Sequence, residues 1–424
     1  MNKFFLYLFI LVFLSNCSLK KEDENLNKKS NYLFEKVQPI DKELNSSLII
    51  KSKKITKGKS FLNNNYNNNG NINFETNFKK KTTYKFSTIN SFKFSQPELI
   101  FTNDNSIIFF DGKGEIFKID EDLKEIWKLN IYNKKEKKSD PILYFAHNNE
   151  DLIVVDTLSK IYSINLISGE LKWIKNSLSP FNSSIKIFKD TFMTIDFDNI
   201  IRCFSIKDGK EIWNFNTENS FIKSHKKLSL VLRGEIIYFI NNLGDLTALN
   251  VNDGSLVWQT PTQSNVISQN AFSLKNSDIV FANNSIYFSN NKNETFSIDA
   301  RSGIVKWKQT LNSTLRPTII ENLIISISEE GYFFVIDDKT GNIIRITNAL
   351  KNIKNKKNII KPIGFVVAKN KIYLSLNNGN VIKLDLTTGL QESINKVNNS
   401  KVSRPYIFNN NMYFIKNNAI INFK

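Results

Sequence analysis

Histidine, cysteine and arginine are scarce in this 424-residue chain, and each scarcity closes off a class of chemistry. Two cysteines, Cys17 and Cys203, cannot make a disulfide scaffold or a four-thiolate zinc site. Two histidines, His147 and His225, leave little for a His-rich metal centre or a Ser-His-Asp arrangement, and their Asn-rich and Lys-rich surroundings read as solvated turns. Glycine numbers only 15, about half its usual share, so each one left marks a place where the backbone needs it. Of 58 cationic residues only Arg202, Arg233, Arg301, Arg316, Arg345 and Arg404 are arginine. The net charge of +18 is therefore made of dispersed lysines, accompanied by an excess of Asn, Ile and Phe that A/T-rich coding produces. Nucleic-acid binding, which uses clustered cations with interleaved aromatics, is not expected. A hydrophobic content of 41% supplies a sizeable core and excludes global disorder.

At the N-terminus, Phe4 to Leu14 is an unbroken apolar run of eleven after a single Lys. That is too short for a spanning helix and the right size for the apolar region of an export signal. Leu14-Ser15-Asn16-Cys17 follows and resembles a bacterial lipobox, with Asn16 standing where a smaller residue is usual. Residues 1–16 are thus expected to be a lipoprotein signal and Cys17 the acylated new terminus. Each buried CH₂ of the acyl chains adds about 0.8 kcal/mol to membrane attachment. Residues 17–78 carry Lys runs and Asn63-Asn64-Asn65-Tyr66-Asn67-Asn68-Asn69 without an apolar period, and are expected to form a flexible tether spanning about 40–45 Å. Within it, Ser47 to Ile50 is a short apolar stretch able to dock.

Beyond Lys80 the chain repeats itself. The unit is a strand, a tight turn, a strand, a four-residue turn ending in Gly, and a strand carrying Trp. Gly169, Gly209, Gly254 and Gly303 are each followed four residues later by Trp173, Trp213, Trp258 and Trp307. Trp127 belongs to a first copy without the Gly; Gly341 and Gly389 belong to copies where Arg345 and Ser393 replace Trp. All five Trp residues fall at this one position, which assigns them to packing between units. Gly-to-Gly spacings of 40, 45, 49, 38 and 48 describe units of four short strands. Those strands are rich in Ile, Val, Phe and Tyr, as in Ile107–Phe110, Leu152–Val155, Ile236–Ile240, Ile286–Phe288, Leu323–Ile327 and Ile372–Leu376. The repeated Asp120, Asp299, Asp337 and Asp385 read as turn residues, and Cys203 in its alternating strand as a small core residue. At about 43 residues per unit, residues 79–424 hold an all-β, eight-bladed β-propeller. Its last blade takes three strands from the C-terminus (Tyr406–Phe408, Met412–Ile415, Ala419–Phe423) and its outer strand from Thr83–Thr88, closing the ring.

The Ile/Leu-Asp-x-x-Ser/Thr-Gly-x-x-x-Trp unit resembles the pyrroloquinoline-quinone-type propeller repeat. With the lipobox and the split last blade, the chain is similar to the BamB family, lipoproteins of the outer-membrane β-barrel assembly machinery. The resemblance implies a non-catalytic, monomeric propeller without cofactor or metal. It implies lipid anchoring to the outer membrane facing the periplasm, and the periplasmic POTRA domains of BamA and unfolded outer-membrane proteins as partners. A contact segment of that family reads Leu-x-Leu-Arg-Gly-Glu, which Leu230-Val231-Leu232-Arg233-Gly234-Glu235 matches, so Leu230, Leu232 and Arg233 are the implied partner-binding residues. The same letters also read as a hairpin, because Glu235 runs directly into the strand Ile236–Ile240. The acidic residues that the family places on the neighbouring loop have no counterpart in Gln263 to Ser277. The alternatives are a quinone-dependent dehydrogenase, which would need a Ca²⁺ site of carboxylate and amide oxygens and an Asp base, and an adaptor for another partner.

Overall fold

The computed structural model describes residues 44, 50, 55, 65–87, 97–217, 226–262, 274–353 and 359–424. The export signal, Cys17 and His225 lie outside the described residues. No helix among the described residues is long and apolar enough to cross a membrane.

Eight antiparallel four-stranded sheets follow one another along the chain. The first blade comprises Ile100–Phe101, Ile107–Phe110, Ile116–Ile119 and Glu125–Leu129. The inner strands of the next six blades are Leu143–His147, Lys186–Phe188, Leu230–Arg233, Val280–Ala282, Thr318–Ile320 and Pro362–Ala368. The eighth blade takes Tyr406–Phe408, Asn411–Lys416 and Ala419–Phe423 from the C-terminus and Lys81–Lys85 from the N-terminal side. Lys81 pairs with Phe423 and Lys85 with Ala419, so the closing strand starts two residues and ends three residues earlier than the sequence suggested. The middle strands of each blade are buried on both faces, whereas outer strands such as Leu171–Asn176 are largely exposed. The core is accordingly a series of apolar layers between adjacent blades.

The repeat's Trp and Gly make the joint between blades. Each Trp-bearing outer strand carries a β-bulge at the residue before the Trp, which turns the indole toward the following blade. Trp127 Nε1 donates to Leu166 O at 3.2 Å, Trp213 Nε1 to Val251 O at 3.0 Å and Trp307 Nε1 to Asp338 O at 2.8 Å. The ring then lies on the turn glycine: a Cβ on Gly254 would come within 2.6 Å of Trp213, and the backbone there has φ +74°. Space and conformation both exclude a side chain. Where Trp is lost, Arg345 takes over. It is fully buried and its Nη1 donates to Thr387 O at 3.0 Å, three strands into the next blade's own turn.

The repeat aspartates serve turns, as read. Asp299 Oδ1 accepts from the N–H of Arg301 and Ser302, and Asp337 Oδ1 from Lys339 and Thr340. A second turn device escaped notice: Asp111, Asp156, Asp196, Asn241 and Asn290 each accept from the N–H groups two and four residues on, capping the central hairpin of five successive blades. Asn290 therefore acts through its side chain, whereas Asn283, Asn284, Asn409 and Asn410 take the left-handed backbone of two-residue hairpins. Cys203 is buried, and burial pushes its thiol up to about 11.

The expected flexible tether is overturned for its last part. Residues 65–72 run as a strap along the inner edges of blades four to seven, and Phe74 to Phe78 then pack against the seventh and eighth blades, where Phe78 meets Tyr373 and Phe423. Leu232 N donates to Asn65 O at 2.9 Å, Phe281 N to Tyr66 O at 3.0 Å and Ile319 N to the Asn68 side chain at 3.1 Å. Asn71–Ile72 adds as a fifth, parallel strand on Val367 and Ala368 of the seventh blade. An inner strand facing a channel presents unpaired N–H and C=O groups, and Asn supplies both a donor and an acceptor to meet them. Ile50, in the apolar stretch noted in the sequence, is buried among the sixth and seventh blades with its N–H on Thr387 O at 3.0 Å.

Candidate functional site

The Leu230–Glu235 segment is the hairpin between the first two strands of the fourth blade. Leu230 pairs with Phe239, Arg233 pairs with Ile236, and Gly234 turns with φ +55°. Strand alternation does not expose either leucine: Leu230 and Leu232 are 0% and 3% exposed and pack against Met193, Ile237 and Leu249. The two leucines as an exposed contact patch are thus corrected to core residues. An inner strand is sandwiched between neighbouring blades on both of its faces, so alternation does not expose the side chains within it, and only its hairpin end reaches solvent. Arg233 alone of the three is exposed. Its guanidinium lies 4.6 Å from the ring centroid of Phe281 on the next blade. The same ring meets Tyr66 of the strap at 5.3 Å, and Tyr66 is 46% exposed. Arg233 and Tyr66 therefore stand on a common aromatic base where the fourth blade, the fifth blade and the strap converge. Rigidly held Arg and Tyr are the side chains that most often carry interface energy. One signal could have found Tyr66: it is the lone aromatic in an asparagine run.

The second concentration of function-bearing side chains lies in the central channel, in a cavity of about 260 Å³. Residues at or just before the inner strands converge there from six blades: Glu98, Lys186, Lys227, Asp278, Arg316 and Arg404. Arg316 binds Asp278 through both Nε, at 2.7 Å, and Nη2, and Lys227 reaches Glu98 at 2.8 Å. Lys186 Nζ donates to Asn67 Oδ1 of the strap at 2.9 Å. The guanidinium of Arg404 lies 4.9 Å over the Tyr406 ring. Burial favours the neutral form of Lys186, and the cations Arg316 and Lys227 add to this, lowering it to about 7. Burial alone would raise Glu98, but Lys227, Arg404 and Arg316 hold it down at about 2. Four cations thus face two carboxylates. His147 also lines this cavity; it is buried, with its ring nitrogens 2.9 Å from Asn148 O and 3.0 Å from Phe101 O, which corrects its reading as a solvated residue. Proximity in sequence announced none of these channel residues, because each comes from a different repeat.

The fold and the interblade Trp–Gly joints define a propeller of the quinone-type repeat class. A sequence model described as outer membrane protein assembly factor BamB matches residues 112–347, and the chain belongs to that family. BamB from Moraxella catarrhalis is similar in structure, at 15% identity and a TM-score of 0.63, covering 81% of this chain and all of that one. A europium-containing methanol dehydrogenase is similar at 10% identity and a TM-score of 0.66, covering 84% and 89%. A quinohemoprotein alcohol dehydrogenase from Comamonas testosteroni is similar at 9% identity and 0.62, covering 83% and 78%. At these identities the likenesses speak for the fold alone. No curated protein matches the chain by sequence.

A quinone and its Ca²⁺ would need several oxygen ligands converging on one point. Among the described residues no group of three His, Cys, Asp or Glu is placed to hold a metal ion. The channel's two carboxylates are each engaged by a cation, and cations outnumber them. These residues do not fit that pair.

Proposed function

We propose that the chain is a non-catalytic scaffold of the outer-membrane protein assembly machinery, held at the outer membrane by acyl chains on Cys17 and facing the periplasm. It binds the periplasmic POTRA domains of BamA and assists insertion of unfolded outer-membrane proteins. The observation that carries this reading is the match of residues 112–347 to the BamB family. The partner-binding role passes from the Leu230–Arg233 segment to Arg233 with Tyr66, the two exposed side chains that share Phe281. Phe281 is itself buried, and each side chain already rests on its ring, so less freedom is left to lose on binding, which favours a contact of high energy per residue.

Crosslinking in the native envelope followed by mass spectrometry tests the reading. The expected product joins the fourth or fifth blade to BamA; reproducible crosslinks to a different envelope protein, with none to BamA, would replace it with an adaptor for that partner. Dye-linked alcohol or sugar oxidation by the chain reconstituted with quinone and Ca²⁺ would replace it with a dehydrogenase.

A further inference from the structure

The outer strand of the sixth blade, Ile343–Asn348, departs from its counterparts. Outer strands stand where the blades diverge, and those of blades two, three and four, Leu171–Asn176, Glu211–Asn216 and Leu256–Pro261, hold no buried residue. In the sixth blade three residues in succession are buried: Arg345, Ile346 and Thr347 are 0%, 1% and 6% exposed. Successive strand residues point to opposite faces, so a run of three needs cover on both faces. This blade has also lost the Trp that closes the joint elsewhere. Two residues from the N-terminal side lie here. Leu44 pairs with Ile346 as an antiparallel bridge, on an edge that would otherwise present unpaired backbone groups. Ile50 is 5% exposed and belongs to the apolar cluster of Phe333, Val335, Leu384 and Leu386. Its N–H donates to Thr387 O at 3.0 Å, the same carbonyl that accepts from Arg345 Nη1. A carbonyl has two lone pairs, so the turn of the seventh blade receives one donor from the repeat and one from outside it.

We propose that the outer edge of the sixth blade is a docking site for an extended segment, and that its occupant is this chain's own N-terminal segment bearing Leu44 and Ile50. Backbone pairing on the edge supplies affinity, and Ile50 in the apolar joint sets the register. The occupied edge is shut to strands of other chains. A further consequence rests on the reading of Cys17 as acylated: the ring is suspended from blades six and seven, and residues 18–43, instead of the whole stretch to residue 78, link it to the acyl chains.

The test is amide hydrogen exchange, read by mass spectrometry on the purified full chain in detergent. In the parent, the amide of Ile50 should be protected. In Ile50→Asp, whose carboxylate cannot be buried unpaired, Ile50's neighbours and the strand Ile343–Asn348 should exchange at least about tenfold faster, while Leu323–Ile327 and Tyr332–Asp337 keep their protection. A synthetic peptide of residues 42–53 added to that variant should restore protection of Ile343–Asn348, a gain that misfolding cannot imitate; the same peptide carrying Ile50→Asp should not. Fast exchange at Ile50 in the parent, an unchanged Ile343–Asn348 in the variant, or no restoration by the parent peptide would overturn the proposal. Protection that depends on protein concentration would overturn it in favour of a second copy on the edge. The mass of the N-terminal peptide reads acylation separately, and an unmodified Cys17 would overturn the suspension of the ring and not the docking.

Discussion

The indole of Trp173 rests on Gly209 of the next blade: its Nε1 donates to Ile206 O at 2.9 Å, and a Cβ on Gly209 would fall 2.5 Å from the ring. Five such joints connect the first six blades, so one residue pair, repeated, sets the angle between sheets. Trp173→Ala should cost about 3 kcal/mol, through lost burial and a cavity. Gly209→Ala should cost a comparable amount, because φ there is +66° and the ring blocks the methyl. Urea denaturation measures both, and the double variant should cost less than the sum, because the two changes remove one contact.

Arg345 occupies the Trp position of the sixth blade, so it should accept the residue that the other blades use. Arg345→Trp is expected to stay within about 1.5 kcal/mol of the parent, since an indole N–H can reach Thr387 O as the guanidinium does. Arg345→Ala, which empties a fully buried site and strips that carbonyl of a donor, should cost about 3 kcal/mol. Equal losses from both substitutions would deny the equivalence.

Asn67 joins the strap to three places at once: Ser229 Oγ at 3.1 Å, Leu230 O and Ile279 O, with Lys186 donating to it in return. Asn67→Ala leaves buried carbonyls without a donor and should cost about 2 kcal/mol. Hydrogen exchange is the sharper check: the amides of Leu232 and Phe281, bonded to Asn65 O and Tyr66 O, should lose protection while those of the middle strands keep it.

Lys186 titrates at about 7 instead of 10.5, with Arg316, Lys227, Asp278 and Glu98 around it and Asn67 against it. Between about 7 and 10.5 the unfolded chain holds a proton there that the folded chain lacks, so this residue's contribution to stability rises with pH across that window and is flat below it. The difference in unfolding free energy between the parent and Lys186→Met should carry that slope, and the variant should be the more stable of the two at pH 7. A pH-independent difference would show that Lys186 keeps its ordinary range in the folded chain.

Arg233→Glu should reduce co-purification with BamA by at least about tenfold and leave urea stability unchanged, because Arg233 is exposed at a hairpin. Leu230→Ala and Leu232→Ala should each cost about 3 kcal/mol of stability, since both side chains lie in the interblade core. Loss of partner in the leucine variants therefore reports unfolding, and only the arginine and Tyr66→Ala report the interface.

Much of the ring was legible in the sequence, and for a physical reason. A blade cannot bury its faces alone, so the same apolar alternation, the same left-handed turn and the same Trp–Gly joint must recur in every unit, and repetition makes them visible. Strand Ile236–Ile240 and strand Leu323–Ile327 fall where the pattern placed them, and the outer strand of the eighth blade starts two residues and ends three residues earlier than expected. Three features were decided only by the tertiary structure. Leu230 and Leu232 looked like a contact motif because their letters match a contact segment of the family, whereas in this fold they lie on an inner strand with a neighbouring blade on each side. The asparagine run looked like a linker because its contribution is hydrogen bonding to strand edges on blades that are more than 150 residues away, as from Asn67 to Leu230, and no hydropathy pattern records that. The channel cluster gathers Glu98, Lys186, Asp278, Arg316 and Arg404 from separate repeats, and closing the ring is what sets their charges against one another.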